Sequence, residues 1–306
     1  MKILVTGGAG FIGSNLVDKL ISLDYDVVVI DDLSTGRVEN LNAKANLYKM
    51  DICDKDILEV FKNEKFDIVY HMAAQIDIQK SIKDPINDAM INIIGTINIL
   101  EACRKSNVKK IIYSSTAAAY GNPDYLGIDE EHYKEPISFY GSSKLSSEYY
   151  IPVYSRLYDL DYTILRYSNV YGIRQDKNGE GGVISIFLDK IMKYKDVTIF
   201  GDGSATRDYI YVEDVVNANI NSIEYGNREV FNIGTGKYTS VIEMFGIMKN
   251  IANKDIDVVF EDERLEDIKD SYFEINKSLS MLNWKPKFCL EYGLKKTIEY
   301  YKSKYI

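Results

Sequence analysis

The sequence predicts an α/β fold in which a doubly wound parallel sheet carries a smaller region in its C-terminal third. Two observations support the sheet. Short apolar runs alternate with helical segments up to about residue 165, and a glycine-rich turn joins the first strand to the first helix. A third observation is the different character of residues 166–306, where glycine-rich loops interrupt the alternation. We therefore expect a sheet domain over residues 1–165, to which a segment at about 208–235 returns, and a second, interleaved region over most of residues 166–306.

The N-terminal glycine turn predicts a dinucleotide site. Residues 3–5 form an apolar run, Gly7, Gly10 and Gly13 follow it, and residues 11–23 show helical periodicity. This order lets the backbone approach a pyrophosphate that is bound by helix N-terminal amides. A second apolar run, residues 27–30, ends at Asp31. A carboxylate there can accept hydrogen bonds from ribose hydroxyls and would repel a 2'-phosphate, so NAD is preferred over NADP.

Further strands are predicted at residues 47–50, 67–71 and 110–113, and a long amphipathic helix at residues 86–105. Asp51 and Ile52 could flank an adenine, while an ordinary helix cap is the equal alternative for Asp51. Small residues at 72–74 suit a close approach of the backbone to a ligand. Because open α/β sheets bind ligands beyond the carboxyl ends of their strands, we expect the glycine turn, Asp31, Ala73 and Thr116 along one edge.

Tyr140 and Lys144 form the candidate catalytic pair. They are four residues apart on a predicted helix, so their side chains lie on one face. A phenol with a pKa of about 10 is a poor base at neutral pH, but an adjacent ammonium favours the phenolate. With the upstream hydroxyl of Thr116, the pair could exchange a proton with a substrate alcohol while a nicotinamide takes the hydride. Taken alone, the pair also fits an exposed helix face.

In the C-terminal third, strands are predicted at residues 162–166 and 197–200. The glycine-rich residues 179–182 precede a helix, so they could hold an anion or could form a plain flexible loop. Arg207 could be a donor fork for phosphate or the partner of Asp208 in a structural salt bridge. The sequence leaves both questions open.

Composition argues against several classes of function. The net charge of −9 and the absence of basic runs disfavour nucleic acid or an anionic membrane as partner. Three widely spaced cysteines and two histidines suggest neither a disulfide framework nor a metal site. No apolar stretch reaches the length of about 18 residues that a membrane span needs, and no signal peptide precedes the glycine turn. A cytoplasmic protein is expected.

Together, these motifs resemble the extended short-chain dehydrogenase/reductase family, whose sheet is of the Rossmann type, and most closely its UDP-sugar 4-epimerases. The resemblance covers essentially the whole chain. The matching motifs are residues 6–13, 31–36, 51–52, 71–75, 92–96, 114–121, 140–144, 166–172, 201–214 and 232–236.

The resemblance implies a role for each matching residue. Tyr140 corresponds to the catalytic acid/base, Lys144 to the residue that lowers its pKa, and Thr116 to the residue that bonds the sugar hydroxyl. The implied NAD-binding residues are Gly7, Gly10, Phe11, Ile12, Asp31, Asp32, Asp51, Ile52, Ala73, Ala74, Gln75, Asn92, Ser114, Tyr140, Lys144 and Tyr167. The implied substrate-binding residues are Thr116, Asn169, Gly182, Val183, Phe200, Arg207, Arg264, Asp267 and Ser271, of which Asn169 and Arg207 hold the diphosphate.

The implied activity is epimerisation at C4 of UDP-sugars through a 4-keto intermediate, with NAD as a returning hydride carrier. Ser271 aligns with a position that is a large tyrosine in epimerases restricted to glucose and galactose, so a serine implies room for an N-acetyl group. The implied substrates are therefore UDP-GlcNAc/UDP-GalNAc and UDP-glucose/UDP-galactose. The family's Arg-Pro-Gly-Asp reads Arg264-Leu265-Glu266-Asp267 here, and a shifted alignment in this loop would place Ser271 elsewhere.

Other functions of the same fold are weighed against this one. Nucleotide-sugar dehydratases follow the active-site threonine with an acidic pair, whereas Ala117 and Ala118 follow Thr116. Decarboxylases and net dehydrogenases are also less favoured. A regulatory NAD-binding protein would be expected to lose Tyr140 or Lys144. The helices near residues 86 and 140 match the family's dimer interface, so a homodimer is expected, although their apolar positions could instead pack on the sheet.

Overall fold

The computed structural model describes residues 1–176, 182–263 and 268–303. The strands are β1 (Lys2–Thr6), β2 (Asp26–Asp31), β3 (Asn46–Lys49), β4 (Ile68–His71), β5 (Lys110–Thr116), β6 (Asp161–Tyr167), β7 (Asn169–Tyr171), β8 (Val197–Phe200), β9 (Thr206–Arg207), β10 (Tyr209–Tyr211), β11 (Glu229–Ile233), β12 (Thr239–Ser240), β13 (Val258–Glu261) and β14 (Asp270–Ser271). The α-helices are α1 (Phe11–Ser22), α2 (Ile57–Glu64), α3 (Ile78–Lys83), α4 (Pro85–Ala89), α5 (Thr96–Lys105), α6 (Phe139–Tyr158), α7 (Val183–Met192), α8 (Val212–Asn221), α9 (Val241–Ala252), α10 (Asn276–Met281) and α11 (Leu290–Lys302).

Seven parallel strands form the main sheet in the order β11-β6-β5-β4-β1-β2-β3. β1 lies between β2 and β4, so the strand order reverses next to β1. This reversal opens a crevice at the carboxyl ends of β1 and β4, where open α/β sheets bind their ligands. The predicted fold class is confirmed. The predicted strands agree with the sheet except near their ends, and β5 continues past Tyr113 to Thr116.

The sheet is buried on both faces, which explains its apolar strands. Ile3 and Val5 pack in one hydrophobic cluster, while Leu4, between them, packs in the other. This alternation follows from the opposite directions of successive side chains on a strand. Helices α1 and α8 pack together, as do α5 and α6. Because both faces of the sheet are covered, its strands are continuous apolar runs, in which apolar and polar residues do not alternate.

The C-terminal third contributes short strand pairs and one further strand of the main sheet. β7 pairs with β10, β8 with β13, and β9 with both β12 and β14. β11 returns to the main sheet beside β6. In the β9–β14 pair, the last residues of the two strands, Arg207 and Ser271, are neighbours.

The helix predicted over residues 86–105 is not a single α-helix. It comprises α4, a π-helical turn at Met90–Gly95, and α5. The Asp84 side chain accepts a hydrogen bond from Asn87 N and thereby caps its start. In the π turn the Asn92 carbonyl accepts hydrogen bonds from Thr96 Oγ1 at 2.6 Å and Ser147 Oγ at 2.7 Å. Side-chain donors thus satisfy a carbonyl where the α-helical ladder is interrupted, and periodicity alone does not reveal such a turn.

Candidate functional site

The turn between β1 and α1 is built so that only glycine fits at two of its positions. Gly7 has a φ of +68°, and a Cβ there would lie 2.7 Å from the main-chain nitrogen of Ala73. A Cβ on Gly13 would lie 2.2 Å from the carbonyl oxygen of Gly7. Helix α1 begins after Gly10 without a side-chain cap. Its first-turn amides are therefore suited to an anionic ligand such as a pyrophosphate.

Asp31 ends β2 beside this turn. Its carboxylate accepts hydrogen bonds from the main-chain nitrogens of Ala9 and Leu33, both at 2.9 Å. Burial raises the pKa of Asp31, and these two hydrogen bonds oppose the shift. The neighbouring Asp32 is exposed, and its Oδ1 accepts hydrogen bonds from Ser34. Asp31 is thus fixed at the point where the sequence predicts contact with a ribose.

One cleft collects nearly all the predicted cofactor residues. Those that line it are Gly7, Gly10, Phe11, Ile12, Asp31, Asp32, Asp51, Ile52, Ala73, Ala74, Gln75, Ser114, Tyr140, Lys144 and Tyr167. Asp51 does not cap α2, which begins after Asp56; its Oδ1 accepts a hydrogen bond from Cys53 N. The helix-cap alternative for Asp51 is therefore wrong, and Asp51 lines the cleft.

Sequence reasoning missed several residues of the same cleft. They are Met50, Ile76, Asp77, Lys80, Asn87 and Ile91. Three of them, Asp77, Lys80 and Asn87, belong to α3 and α4 or cap them. The spacing of these three residues in the sequence does not link them to the strand ends. They line the cleft because the chain after β4 folds back along it.

Asn92 is the one predicted cofactor residue that does not line the cleft. It is buried, and its side chain bonds both main-chain groups of Gln75, each at 2.9 Å. It also donates to Ser143 Oγ on α6 at 3.0 Å. Asn92 therefore links the cleft wall at Gln75 to the helix that carries Tyr140 and Lys144.

His71 supports the cleft from behind as a neutral side chain. Thr96 Oγ1 donates to the Asn92 carbonyl, so it accepts from His71 Nε2 at 2.9 Å. His71 Nδ1 is then the acceptor, at 2.8 Å, for the hydroxyl of Thr6. Thr6 Oγ1 in turn accepts from the main-chain nitrogens of residues 72 and 73. Burial lowers the pKa of His71 to about 3, in keeping with the neutral ring.

Tyr140 and Lys144 lie in the first two turns of α6. The helix is capped by Ser138, whose side chain accepts a hydrogen bond from Gly141 N at 3.0 Å. Lys144 is 3 % exposed, and its Nζ lies 4.2 Å from the ring centroid of Tyr113. Burial lowers the pKa of Lys144 to about 7, although the negative charges of Glu148 and Asp88 raise it. The pair is therefore no ordinary exposed helix face.

Thr116 ends β5 and lies beside Tyr167 of β6 in the sheet register. Its Oγ1 accepts a hydrogen bond from Ala118 N at 3.1 Å and begins a short 3-10 turn, Ala117–Ala119. Ser114, two residues earlier, lines the cleft. The predicted hydroxyl residue thus lies at the carboxyl end of a strand whose side chains reach the cleft.

Arg207 and Ser271 are brought together by the β9–β14 pair, in which they are register neighbours. Nη1 of Arg207 donates to the carbonyl oxygens of Thr206 at 2.7 Å and Lys269 at 3.1 Å. Within the described part of the chain Arg207 forms no ion pair, so the alternative of a salt bridge with Asp208 is wrong. The Asp208 carboxylate instead accepts hydrogen bonds from residues 235, 236 and 273.

The remaining predicted substrate residues are spread over the C-terminal third. Asn169 begins β7 and its main-chain nitrogen donates to the Asp208 carbonyl at 3.0 Å. Gly182 precedes α7, Val183 is its first residue, and Phe200 ends β8. Arg264 and Asp267, and residues 179–181 of the glycine-rich loop, lie outside the described residues.

The features of the cleft fit a dinucleotide. They combine a turn with no space for side chains, an uncapped helix start and a fixed carboxylate at the end of the next strand. In residues 1–176, 182–263 and 268–303, no cluster of three His, Cys, Asp or Glu side chains could hold a metal ion. No helix in those ranges is long and apolar enough to cross a membrane. The fold and the cleft together define a dinucleotide-binding protein of the Rossmann type.

Comparison with known proteins identifies the family. A model of the NAD dependent epimerase/dehydratase family matches residues 3–234. The chain is 48% identical, over 302 residues and 98% of both chains, to a putative UDP-glucose 4-epimerase of Methanocaldococcus jannaschii. The solved UDP-glucose 4-epimerase of Thermotoga maritima, with UDP-glucose, has 46% identity and a TM-score of 0.97 over 99% of both chains. The UDP-N-acetylglucosamine 4-epimerase of Methanobrevibacter ruminantium, in complex with UDP-N-acetylmuramic acid, has 37% identity and a TM-score of 0.94, and the match covers 99% of this chain and 98% of that one.

The chain belongs to the NAD dependent epimerase/dehydratase family, and NAD is its cofactor. The predicted family and the preference for NAD are confirmed. The glycine turn, the start of α1 and Asp31 are the residues that would hold the cofactor's diphosphate and ribose.

Proposed function

We propose that the protein is an NAD-dependent 4-epimerase of UDP-sugars. The observation that carries the proposal is that Tyr140 and Lys144 line the same cleft as the glycine turn and Asp31. An acid/base group and a nicotinamide site thus share one cavity, as reversible oxidation of an alcohol requires. The relatives at 48% and 46% identity, named for activity on UDP-glucose, support UDP-glucose and UDP-galactose as one substrate pair.

In the proposed reaction, Tyr140 takes the proton of the C4 hydroxyl and returns it after the sugar has turned over. NAD, when bound, supplies the reversible acceptor for the C4 hydride, so no net redox change occurs. The ammonium of Lys144 lies on the same face of α6 and favours the phenolate of Tyr140. Thr116 holds the substrate hydroxyl at the end of β5. Ala117 and Ala118 bring no carboxylate beside it, which disfavours elimination of water.

We further propose that UDP-GlcNAc and UDP-GalNAc are substrates. Ser271 lies beside Arg207 in the β9–β14 pair, so a small side chain adjoins the residue that we assign to the diphosphate. A serine there leaves room that a tyrosine would fill. The relative at 37% identity is named for activity on UDP-N-acetylglucosamine, which supports the same proposal.

The proposal divides the chain between its two ligands. In this proposal, NAD is bound by residues 1–165 together with the returning segment at about 208–235. The UDP-sugar is bound mainly by residues 166–306. Arg207 has no ionic partner within the described ranges, so its guanidinium suits an anionic diphosphate. The other residues assigned to the substrate are Asn169, Gly182, Val183, Phe200, Arg264 and Asp267.

The partner is proposed to be a second copy of the chain. Exposed apolar side chains follow the outer side of two helical segments at four-residue spacing. On α4 and the π turn they are Ile86, Met90 and Ile94; on α6 they are Tyr149, Val153 and Leu157. The two segments pack against each other, and exposed apolar side chains on adjoining segments favour association.

The test is to incubate the purified protein with UDP-glucose and, separately, with UDP-GlcNAc, without added reductant, and to follow the C4 epimers by proton NMR. Each substrate is expected to give an equilibrium mixture with its epimer. Absence of conversion of either substrate, with NAD shown to be bound, would contradict the proposed function.

Tyr140→Phe tests the role of the phenol. The variant is expected to lose activity by a factor of about 10²–10⁴, because it lacks the group that exchanges the proton, while it still binds NAD. Tyr133→Phe is the matched control, since Tyr133 is an exposed tyrosine shortly before α6. Equal activity of the Tyr140→Phe and wild-type proteins would remove Tyr140 from the mechanism.

A further inference from the structure

A buried ionic network lies behind the catalytic face of α6. Glu148 follows Lys144 by one helical turn, and its side chain is 4% exposed. Its carboxylate accepts hydrogen bonds from Arg166 Nε at 3.0 Å and Nη2 at 2.6 Å, and from Ser115 Oγ. Arg166, equally buried, donates through Nη1 to the hydroxyl of Tyr120 at 2.8 Å. A buried ion pair is weak evidence for stability in itself, so the pair calls for another explanation.

The network joins the catalytic helix to two strand ends. Ser115 of β5 and Arg166 of β6 are register neighbours, and the next residues, Thr116 and Tyr167, are neighbours too. Successive strand residues point to opposite faces of a sheet. Ser115 and Arg166 therefore face α6, and Glu148 bonds to both of them. Thr116 and Tyr167, one residue further on, end the two strands. The position of α6 relative to Thr116 depends on this contact.

Beyond Arg166, the network continues to the edge of the main sheet. The Tyr120 hydroxyl donates to Asn232 Oδ1 at 2.7 Å. The main-chain nitrogen of Asn232, on β11, donates to Glu130 Oε1, also at 2.7 Å. A second buried carboxylate, Glu130, thus lies at the far end of the same network from Lys144.

The charge of Lys144 depends on the carboxylates near it. The titratable and charged groups that face it are Tyr140 and Glu148 on α6, Asp88 on α4, His71 on β4 and Tyr113 on β5. Burial lowers the pKa of Lys144, and the negative charges of Glu148 and Asp88 raise it. His71 adds no positive charge, because burial keeps its ring neutral.

We propose that Glu148 is a positioning residue of the reaction, which fixes α6 against β5 and β6 and keeps the Lys144 ammonium charged. Glu148 does not line the cleft, so it acts through Ser115 and Lys144. The inference deepens the proposed function and rests on it, because Lys144 assists a reaction only if Tyr140 exchanges the substrate proton.

The test is to measure the pKa of Lys144 in Glu148→Gln. The full chain is labelled at Cε of its lysines and titrated by NMR, and the Lys144 signal is the one missing from Lys144→Met. Loss of a negative charge one helical turn away is expected to lower the pKa of Lys144 by about one unit or more. An unchanged pKa would overturn the proposal.

Two further variants keep the test decisive. The double variant Glu148→Gln/Arg166→Met leaves no unpaired buried charge, so it serves where the single variant does not fold. Its Lys144 pKa is expected to remain below that of the wild type, and a wild-type value would overturn the proposal.

Glu130→Gln is the matched control, because it removes a buried carboxylate at the far end of the network. Its Lys144 pKa is expected to be unchanged, and a fall as large as in Glu148→Gln would overturn the specific role.

The kinetic measurement separates this inference from the proposed function. In Glu148→Gln, the acidic limb of the pH profile of epimerisation is expected to move to higher pH, because an uncharged Lys144 no longer favours the phenolate. Lower turnover with an unmoved limb would indicate a purely structural role and overturn the proposal. If the wild type converts no UDP-sugar, the proposed function fails, and the NMR titration still decides whether Glu148 sets the charge of Lys144.

Discussion

The charge of Lys144 assists the proposed reaction, but its burial lowers the stability of the fold. Burial lowers its pKa to about 7, whereas the unfolded chain has the ordinary value of 10.5. Between these values the unfolded state binds the extra proton, so the free energy of unfolding rises with pH across this window. Below pH of about 7 both states are protonated, and the full cost of the buried charge is present. Each unit of pKa difference corresponds to about 1.4 kcal/mol.

We therefore expect Lys144→Met to be more stable than the wild type at pH of about 6, and to lose this advantage as the pH rises towards about 10. Urea unfolding at several pH values measures the difference. Lys110→Met is a comparison for the hydrogen bonds only: burial also lowers the pKa of Lys110, to about 8, but its Nζ donates to the Tyr225 carbonyl at 3.0 Å and to Asn227 Oδ1 at 2.5 Å. That variant should be destabilised by the loss of these bonds. A pH-independent difference for Lys144→Met would contradict the linkage.

Ser271 is the residue on which the proposed choice of sugar depends. Ser271→Tyr is expected to lower kcat/KM for UDP-GlcNAc by a factor of about 10 or more, because the larger side chain fills the space of the acetamido group, while UDP-glucose is converted nearly as before. Ser280→Tyr, at an exposed serine of α10, is the control for the substitution itself. Equal loss for both sugars would mean that Ser271 does not discriminate between them.

At single positions, the sequence revealed some residues of the site and not others. Gly7 and Asp31 could be predicted because local geometry determines them: a turn without space for Cβ, and a strand that ends in an acid. Asn92 could be found only by its place in a motif, since it acts through Gln75. Glu148 and Arg166 did leave a signal, because a charged residue in a predicted buried strand needs a partner, but the sequence alone does not identify that partner.

Among the elements, the turn before α1 provides the sharpest prediction. Gly13→Ala and Gly246→Ala are the same change at two helical positions. A Cβ on Gly13 would meet the Gly7 carbonyl at 2.2 Å, whereas a Cβ on Gly246 of α9 meets nothing within 4 Å. We expect Gly13→Ala to destabilise the protein by about 1–3 kcal/mol and to weaken NAD binding, and Gly246→Ala to stabilise it by about 0.5–1 kcal/mol.

Thermal unfolding and calorimetric titration with NAD measure both effects of the glycine variants. Gly246→Ala also controls for NAD binding, which should be unchanged because α9 contributes nothing to the cleft. The opposite order of stability, or unaltered NAD binding in Gly13→Ala, would show that the turn tolerates a side chain.

The elements that were predicted best are those with one strong local signal. Six strands of the main sheet, β1 to β6, are short, apolar and followed by polar or small residues, and their bounds were predicted to within a few residues, whereas β11 was foreseen only as a segment that returns to the sheet domain. The π turn within residues 86–105 was missed because the side chains that bond to its Asn92 carbonyl belong to Thr96 and, on α6, Ser147. Ser147 is more than 50 residues from Asn92 in the chain, so the hydrophobic periodicity of residues 86–105 does not reveal the turn.

For the whole molecule, the alternation of apolar runs and helices predicted a doubly wound parallel sheet, but the order of its strands became known only from the structure. The C-terminal third was harder to predict, because its strand pairs are two to four residues long and join distant segments. The juxtaposition of Arg207 with Ser271 depends on such a pair. Both residues had a role by resemblance, but nothing in the sequence indicated that they lie side by side.

The last prediction concerns association of whole chains through α4, the π turn and α6. Leu157 of α6 is 63% exposed, although burial of a leucine in an interface would be favourable by about 1.5–3 kcal/mol. Leu157→Glu would place a charge at that interface, so sedimentation velocity should show a dimer for the wild type and a monomer for the variant. Leu279→Glu, at a 42% exposed leucine on α10, is the matched control and should remain dimeric. A monomeric wild type, or dissociation of both variants alike, would mean that this apolar face is not the interface.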